Sequence, residues 1–225
     1  MKNAAATPPP YAVLFDMDGV LVDTEPLWFA TETELLEELG GSWTADDHAL
    51  LVGSALQVSS AFIANRAGAP VRAEDVAAEL VERMAKTLRE RAVLHEGARR
   101  LLGELEAAAI PRALVSSSHQ VLVDAVLDAL APLHFDVVIS GDAVEHNKPH
   151  PEPYLRAATA LGVDPRWTVA LEDSPVGVEA AQRAGCWVVA IPSVAPIDPA
   201  PRRAVVTSLT EVTLDFLRSL FFTRG

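Results

Sequence analysis

The segment at residues 11–25 constrains the fold of this chain more than any other part of the sequence. Residues 11–15 are all apolar or aromatic, and a short run that is hydrophobic on both faces is typical of a buried strand in a parallel sheet. Asp16 and Asp18 follow directly, and Gly19 then permits a tight turn. Because the crevices of open α/β sheets lie beyond the carboxyl ends of the strands, both aspartates are candidate site residues.

This pair of carboxylates has two interpretations. Neighbouring carboxylates repel each other unless a cation neutralises them or one of them keeps its proton. Such a pair can hold Mg²⁺ and leave coordination positions open for a phosphate. An acidic turn after a strand is the other interpretation, and the motif alone does not distinguish the two.

Residues 16–25, Asp-Met-Asp-Gly-Val-Leu-Val-Asp-Thr-Glu, resemble the first signature of the haloacid dehalogenase-like hydrolase superfamily, in particular of its β-phosphoglucomutase-like branch. Three further pairs match in the same order: Val115-Ser116, Lys148-Pro149 and Glu172-Asp173. Four ordered matches are a stronger signal than any one of them. The resemblance covers nearly the whole chain.

The order of predicted elements indicates a core with an insertion. From residue 98 onward strands alternate with helices, which predicts a doubly wound, Rossmann-like parallel sheet, an α/β fold. Residues 25–95 are instead predicted as four helices without a strand, the second of them from Thr44 to Val52. We therefore expect an α/β core domain of residues 1–24 and 96–225 and an inserted α-helical cap domain of residues 25–95. The resembling branch carries a helical cap at this place.

Composition excludes several partners. The formal net charge of −13 repels nucleic acid and acidic membrane surfaces, so neither is an expected partner. The partner that the resemblance implies is a small phosphorylated metabolite. The chain contains no apolar run of membrane-spanning length and no signal-peptide pattern. The single cysteine, Cys186, is compatible with a reducing cytoplasm and is expected in the core. We expect a cytoplasmic monomer.

Residues 116–118, three serines, follow the predicted strand that ends at Val115. Hydroxyl and backbone N–H groups at a helix start can bind a phosphate oxygen, although serine is also a common N-cap. The resemblance assigns phosphate binding to Ser116, and we expect Ser117 to contribute to it.

Lys148 precedes a proline, which biases the lysine backbone towards an extended conformation. A lysine at this place can neutralise both an attacking carboxylate and a phosphoryl group, whereas most lysines lie in solvent. The resemblance favours the first role, in catalysis and phosphate binding. His146 and His150 flank this lysine, and the sequence assigns them no role.

Glu172 and Asp173 end another predicted strand, just before a Ser-Pro pair that is typical of a helix start. Acidic residues are also favoured there by the helix dipole alone. The resemblance implies that Asp16 and Asp173 bind Mg²⁺ together with the backbone carbonyl of Asp18. It makes Glu172 an outer partner or an occasional metal ligand.

The positions together imply a two-step phosphoryl transfer. Asp16 attacks phosphorus and becomes an aspartyl phosphate, while Asp18 protonates the leaving oxygen and later activates water. The expected enzyme is therefore a Mg²⁺-dependent phosphoric monoester hydrolase that acts on small phosphorylated metabolites, in the first place on sugar phosphates.

Two alternatives remain open. The mutases of the resembling branch carry a histidine and an arginine in the cap where this chain has Trp28 and Leu56, so a β-phosphoglucomutase-like mutase is the second choice. The loop at residues 52–59 is expected to contribute to specificity. A phospho-aspartate signalling receiver also holds Mg²⁺ between acidic residues, but the helical insertion and the spacing of Asp16 and Asp18 argue against it.

Overall fold

The computed structural model describes residues 8–44, 46–47, 51, 56–193 and 195–222. Its contacts divide the chain into two compact units. The first, called the α/β unit below, comprises the residues up to Leu21, Leu94–His119 and the residues from His134 onward. The second, called the helical unit, comprises Val22–Val93 and Gln120–Leu133.

Strands and helices alternate along most of the described chain. In chain order the strands are β1 (Ala12–Phe15), β2 (Arg112–Val115), β3 (Val137–Ile139), β4 (Thr168–Glu172), β5 (Trp187–Ala190) and β6 (Arg203–Val205). The helices are α1 (Glu25–Glu38), α2 (Leu56–Arg66), α3 (Ala73–Arg91), α4 (Ala98–Ala107), α5 (Gln120–Ala129), α6 (Glu152–Leu161), α7 (Pro175–Ala184) and α8 (Leu214–Ser219). Among the described residues no helix is both long and apolar enough to cross a membrane.

The strands of the α/β unit form a single sheet in the order β3-β2-β1-β4-β5-β6. Every neighbouring pair is parallel, and β1 is an inner strand. All residues of β1, β2 and β4 are buried, which explains why these strands have a mostly apolar sequence without alternation. The predicted doubly wound parallel sheet is confirmed.

One apolar cluster joins this sheet to the helices α6 and α7. Side chains from β1, β2, β4 and β5 contribute to it. Tyr154 of α6 is fully buried there, and Cys186 is 1% exposed, so the prediction of a core cysteine is confirmed. At the start of α7, the Ser174 hydroxyl accepts a hydrogen bond from the backbone N–H of Gly177 at 3.1 Å, and Pro175 is the first helical residue, as the Ser-Pro pair predicts.

The helical unit has an apolar core of its own, which packs α1, α2 and α3 together around Leu36, Ile63 and Leu80. The buried residues Val76, Leu80, Met84 and Leu88 recur every four residues along α3 and form one apolar face. Trp28 and Leu56 are partly buried and pack against this core.

The helical unit differs from the expected insertion in one respect. Helix α5 follows β2 in the sequence, yet its residues group with the helical unit. The predicted helix from Thr44 to Val52 and the loop at residues 52–59 lie partly outside the described residues. The predicted limits of the core and cap domains remain a prediction.

Glu32 is an acidic side chain that is buried inside the helical unit, with 5% of its surface exposed. The pKa of this carboxyl is raised to about 7, mainly by burial and also by the neighbouring Glu25 carboxylate, whereas a hydrogen bond with Ser59 acts in the opposite direction. Folding therefore disfavours the charged form of Glu32.

Candidate active site

The predicted site residues meet at the carboxyl edge of the sheet. Asp16 follows β1, Ser116 follows β2, and Glu172 is the last residue of β4. The sheet ladder continues one residue beyond two of these strands, since the backbone N–H of Asp16 donates to Leu171 O at 3.0 Å and that of Ser116 donates to Ile139 O at 2.9 Å. Parallel strands end at one edge, and this brings residues distant in sequence together.

Lys148 is the centre of the site. Its Nζ atom lies 2.5 Å from Asp16 Oδ1, 2.7 Å from Glu172 Oε1 and 2.9 Å from the carbonyl oxygen of Val115. An ammonium group has three donors, and all three are used here. Because only 4% of the side chain is exposed, the interpretation of Lys148 as an ordinary solvated lysine is wrong.

The charge state of Lys148 follows from these contacts. Burial by itself lowers the pKa of the ammonium group, but the carboxylates of Asp16 and Glu172 more than offset this effect, and the net pKa is raised. Lys148 therefore stays positively charged across the physiological pH range.

Asp16 lies in an environment that is short of positive charge. Burial raises the pKa of its carboxyl group well above the ordinary value, and Lys148 acts in the opposite direction. The neighbouring carboxylates of Glu172, Asp173 and Asp18 raise the pKa further. One lysine thus faces several carboxylates, an arrangement that a further cation would stabilise.

Three of these carboxylates form a group that can hold a metal ion. Oxygen atoms of Asp16, Glu172 and Asp173 all lie within 4.8 Å of one another, and all three residues are buried. Carboxylate oxygens are the donors that Mg²⁺ prefers. The donor set therefore fits the predicted ion.

Asp173 is fixed in place from two sides. The Ser193 hydroxyl donates a hydrogen bond to Asp173 Oδ2 at 2.5 Å, and burial raises the pKa of Asp173 to about 7. On the other side lies Gly19, which has a φ of 80°. A Cβ atom on Gly19 would lie 2.1 Å from Asp173 Oδ2, so both the backbone conformation and the available space require glycine.

The carboxylate of Asp18 contacts the serine loop after β2. Its Oδ2 atom accepts a hydrogen bond from Ser118 Oγ at 3.0 Å and a longer one from Ser116 Oγ at 3.4 Å. Ser116 Oγ also accepts from the backbone N–H of Ser118 at 3.0 Å. Helix α5 begins only at Gln120, so the interpretation of Ser116 as its N-cap is wrong.

Ser117 faces a different neighbour. Its hydroxyl donates to Asn147 Oδ1 at 3.0 Å, and Asn147 Nδ2 donates back to Ser117 O at 3.1 Å. Asn147 Oδ1 also accepts from the backbone N–H of Lys148 at 2.8 Å. Ser117 therefore ties the serine loop to the segment that carries Lys148, and its predicted contact with phosphate remains a prediction.

Glu172 is fully buried and is held by partners that sequence reasoning missed. The hydroxyl of Tyr154 donates a short hydrogen bond to the same oxygen, Oε1, that Lys148 contacts. Ser174 Oγ lies 3.3 Å from the other oxygen. A Cβ atom on Gly177 would lie 2.0 Å from either oxygen, so this glycine of α7 makes room for the Glu172 carboxylate.

A doubly wound sheet with buried carboxylates and a buried lysine at its carboxyl edge defines the class of protein, an α/β enzyme. Residues 13–191 match the family described as haloacid dehalogenase-like hydrolase, and the chain belongs to this family. The predicted family and the prediction of a hydrolase are confirmed.

Named relatives and a solved structure agree with this assignment. The chain is 36% identical over 187 residues to the phosphorylated carbohydrates phosphatase of Thermotoga maritima. This alignment covers 77% of this chain and 81% of the relative. It is 32% identical over 209 residues to hexitol phosphatase B of Escherichia coli K12, and this alignment covers 90% of this chain and 94% of the relative. The structure of CbbY from Rhodobacter sphaeroides in complex with xylulose 1,5-bisphosphate has a TM-score of 0.78 at 28% identity and covers 92% of this chain and 98% of that one.

Proposed function

We propose that the protein is a Mg²⁺-dependent phosphatase of small phosphorylated metabolites, with sugar phosphates as its main class of substrate. The observation that carries this proposal is the contact of Asp16 with Lys148 at 2.5 Å beside a group of three carboxylates that fits a metal ion. The substrate class is supported by the relatives, two of which are named as phosphatases of carbohydrate or hexitol phosphates.

In the first step the Asp16 carboxylate acts as the nucleophile. One of its oxygens forms a bond to phosphorus while the bond between phosphorus and the alkoxy oxygen breaks, which gives an aspartyl phosphate and an alcohol. Lys148 neutralises charge on Asp16 and on the transferred phosphoryl group. Its contacts with Glu172 and Val115 keep the ammonium group in place.

Asp18 is the acid and base of the proposed reaction. It gives its proton to the leaving alkoxide, and it later accepts a proton from the water that attacks phosphorus and breaks the bond to Asp16. The hydroxyl groups of Ser116 and Ser118 hold the Asp18 carboxylate, and the resemblance assigns Ser116 to a phosphate oxygen as well.

The metal ion of this proposal would be held by Asp16 and Asp173, with the backbone carbonyl of Asp18, and Glu172 lies close enough to serve as an occasional ligand. When bound, Mg²⁺ supplies positive charge against the phosphoryl oxygens.

The other predicted properties stay open to test. A β-phosphoglucomutase-like mutase is disfavoured by Trp28 and Leu56, which replace a histidine and an arginine of the resembling mutases. A phospho-aspartate receiver would keep the phosphoryl group on Asp16 without turnover of free phosphoesters. The cytoplasmic location and the monomeric state are predictions from the sequence.

Phosphate release from a panel of substrates tests the proposal. The panel contains hexose 6-phosphates, hexitol phosphates, xylulose 1,5-bisphosphate and β-glucose 1-phosphate, each with Mg²⁺ and with a chelator. We expect release that needs Mg²⁺, is lost in Asp16→Asn and is retained in Asp198→Asn, whose side chain is exposed. Release that persists without metal or in Asp16→Asn would contradict the proposed chemistry.

Two other outcomes would assign the protein differently. Conversion of β-glucose 1-phosphate to the 6-phosphate without net phosphate release would identify a mutase. A phosphorylated Asp16 that decays slowly, with no turnover of any phosphoester in the panel, would identify a receiver.

A further inference from the structure

Two histidines and a glutamate form a second cluster of possible metal ligands among the described residues. It lies outside the group of Asp16, Glu172 and Asp173, which is called the acidic group below. The side chains of His146, His150 and Glu152 each offer a ligand atom, and these atoms all lie within 4.8 Å of one another. The two imidazole rings are 4.7 Å apart, centroid to centroid, with an angle of 37° between their planes. The phosphatase chemistry proposed above uses none of these three side chains.

Distances in this cluster are close to those of a tetrahedral zinc site. Zinc bonds to imidazole nitrogen and carboxylate oxygen are about 2.0–2.2 Å long, so two ligand atoms at the tetrahedral angle lie roughly 3.3–3.5 Å apart. His146 Nδ1 and Glu152 Oε2 are already 3.2 Å apart. The third ligand, from His150, needs a movement of no more than about 1.5 Å to complete this geometry.

The backbone holds the glutamate in place for this role. Glu152 is the first residue of α6, and its oxygens accept hydrogen bonds from the backbone N–H groups of Glu145 at 3.0 Å and of His146 at 2.9 Å. Arg156 contacts the other carboxylate oxygen, Oε1, at 3.4 Å. Oε2 accepts the backbone N–H of His146 and also lies next to the ring nitrogen Nδ1 of the same residue.

The cluster is also open to solvent. The His146 side chain is 57% exposed and that of Glu152 is 19% exposed. An ion can therefore reach the ligands from bulk water, and a fourth position can be filled by a water molecule. Two imidazoles and one carboxylate are the donors of Zn²⁺, Ni²⁺ and Cu²⁺ sites, whereas Mg²⁺ prefers oxygen donors alone.

We infer that His146, His150 and Glu152 form a binding site for a transition-metal ion of the Zn²⁺ class, separate from the Mg²⁺ site. Lys148 lies between the two histidines in the chain. An ion held by both would therefore fix the two ends of the short segment that carries the lysine of the active site.

Isothermal titration calorimetry of the full chain with Zn²⁺ tests this inference. Mg²⁺ is kept in excess so that the acidic group is occupied by the ion it prefers. We expect one Zn²⁺ per chain and a dissociation constant that rises at least about tenfold when either histidine is lost, in His146→Ala and in His150→Ala, because each removes a ligand. His119→Ala is the matched control, since His119 is an exposed histidine outside the cluster, 3.6 Å from Asp142.

A second measurement does not depend on heats of binding. Bound Co²⁺, a spectroscopic substitute for Zn²⁺, should give the visible absorption of a tetrahedral site in the wild type and in His119→Ala but not in His146→Ala. The inference is overturned if the wild type does not bind Zn²⁺. It is also overturned if the histidine variants bind Zn²⁺ like the wild type, or if Asp16→Asn or excess Mg²⁺ abolishes binding, which would place Zn²⁺ at the acidic group.

Discussion

Replacement of Lys148 by methionine tests the electrostatics of the active site. Methionine keeps most of the apolar stem of the side chain, with sulfur in place of one methylene, and removes the ammonium group. In the wild type this group contacts two buried carboxylates at 2.5 and 2.7 Å. The variant Lys148→Met leaves both carboxylates buried without their partner.

The expected loss of stability can be derived from this geometry. Removal of one partner of a buried ion pair costs about 3–5 kcal/mol, because an uncompensated charge is left behind. For a chain of 225 residues, each kcal/mol changes the melting temperature by about 2–4 °C, so Lys148→Met should melt roughly 6–20 °C below the wild type in the presence of a chelator. Phosphate release should fall by about 10²–10³-fold, as expected when a donor that stabilises transition-state charge is lost.

Thermal unfolding followed by circular dichroism measures the effect, with Lys86→Met as the control because Lys86 is an exposed residue of α3. Addition of Mg²⁺ should raise the melting temperature of Lys148→Met more than that of the wild type, since the variant has lost the only lysine charge that faces the acidic group in the described part of the chain. A melting temperature of Lys148→Met equal to that of the wild type would refute the view that Lys148 neutralises these carboxylates. Equal effects of Mg²⁺ on both proteins would show that the ion binds elsewhere.

Three further substitutions address other parts of the structure. Asp18→Asn should lower kcat by about 10²–10⁴-fold for sugar phosphates, because the amide cannot protonate the leaving oxygen, and a smaller loss for a substrate with an acidic leaving group, such as p-nitrophenyl phosphate, would confirm this role. Gly19→Ala should destabilise the fold by about 1–3 kcal/mol, because alanine would have to adopt the positive φ of Gly19. It should also raise the Mg²⁺ concentration needed for half-maximal activity, since the new Cβ atom would displace Asp173. The pKa of Glu32 is raised from 4.5 to about 7 in the folded state, so the wild type should lose up to about 3 kcal/mol of stability as the pH rises from about 4.5 to 7. The raised pKa of Asp173 causes a further loss in every variant over this range, so Glu32→Gln should lose about 3 kcal/mol less than the wild type in urea unfolding. Glu34→Gln, at an exposed position of the same helix, should lose as much as the wild type.

The sheet and the ends of its strands could be predicted because their causes are local. Residues 12–15 form a strand where the sequence has a short apolar run, and the strand at residues 112–115 is apolar after Arg112. The Ser-Pro pair at residues 174–175 starts α7. The start of β4 also has a local cause. Trp167, just before this strand, lies in a 3-10 turn that begins at Pro165, and the Asp164 side chain caps the turn by accepting the backbone N–H of Arg166.

The partners of the site residues could not be predicted, because they come from distant segments whose local patterns are ordinary. Tyr154 lies on the buried face of α6, where a core residue is expected, yet its hydroxyl donates a hydrogen bond to Glu172. Ser193 lies in the loop after β5, yet its hydroxyl donates a hydrogen bond to Asp173. Nothing in the run of three serines predicts that Ser118 contacts Asp18, although its hydroxyl lies nearer to the Asp18 carboxylate than that of Ser116.

The charge of the whole chain and the charge of the site act in different directions on a phosphorylated substrate. With a net charge of −13, the chain as a whole repels a phosphate dianion at long range, and this repulsion weakens as salt screens it. At short range the proposed attraction comes from Lys148 and from an ion held by Asp16 and Asp173, which are buried and therefore screened much less. It follows that KM for a sugar phosphate should fall or stay constant as the ionic strength rises, provided that Mg²⁺ is saturating. A KM that rises steeply with salt would mean that exposed basic residues, and not this buried group, attract the substrate.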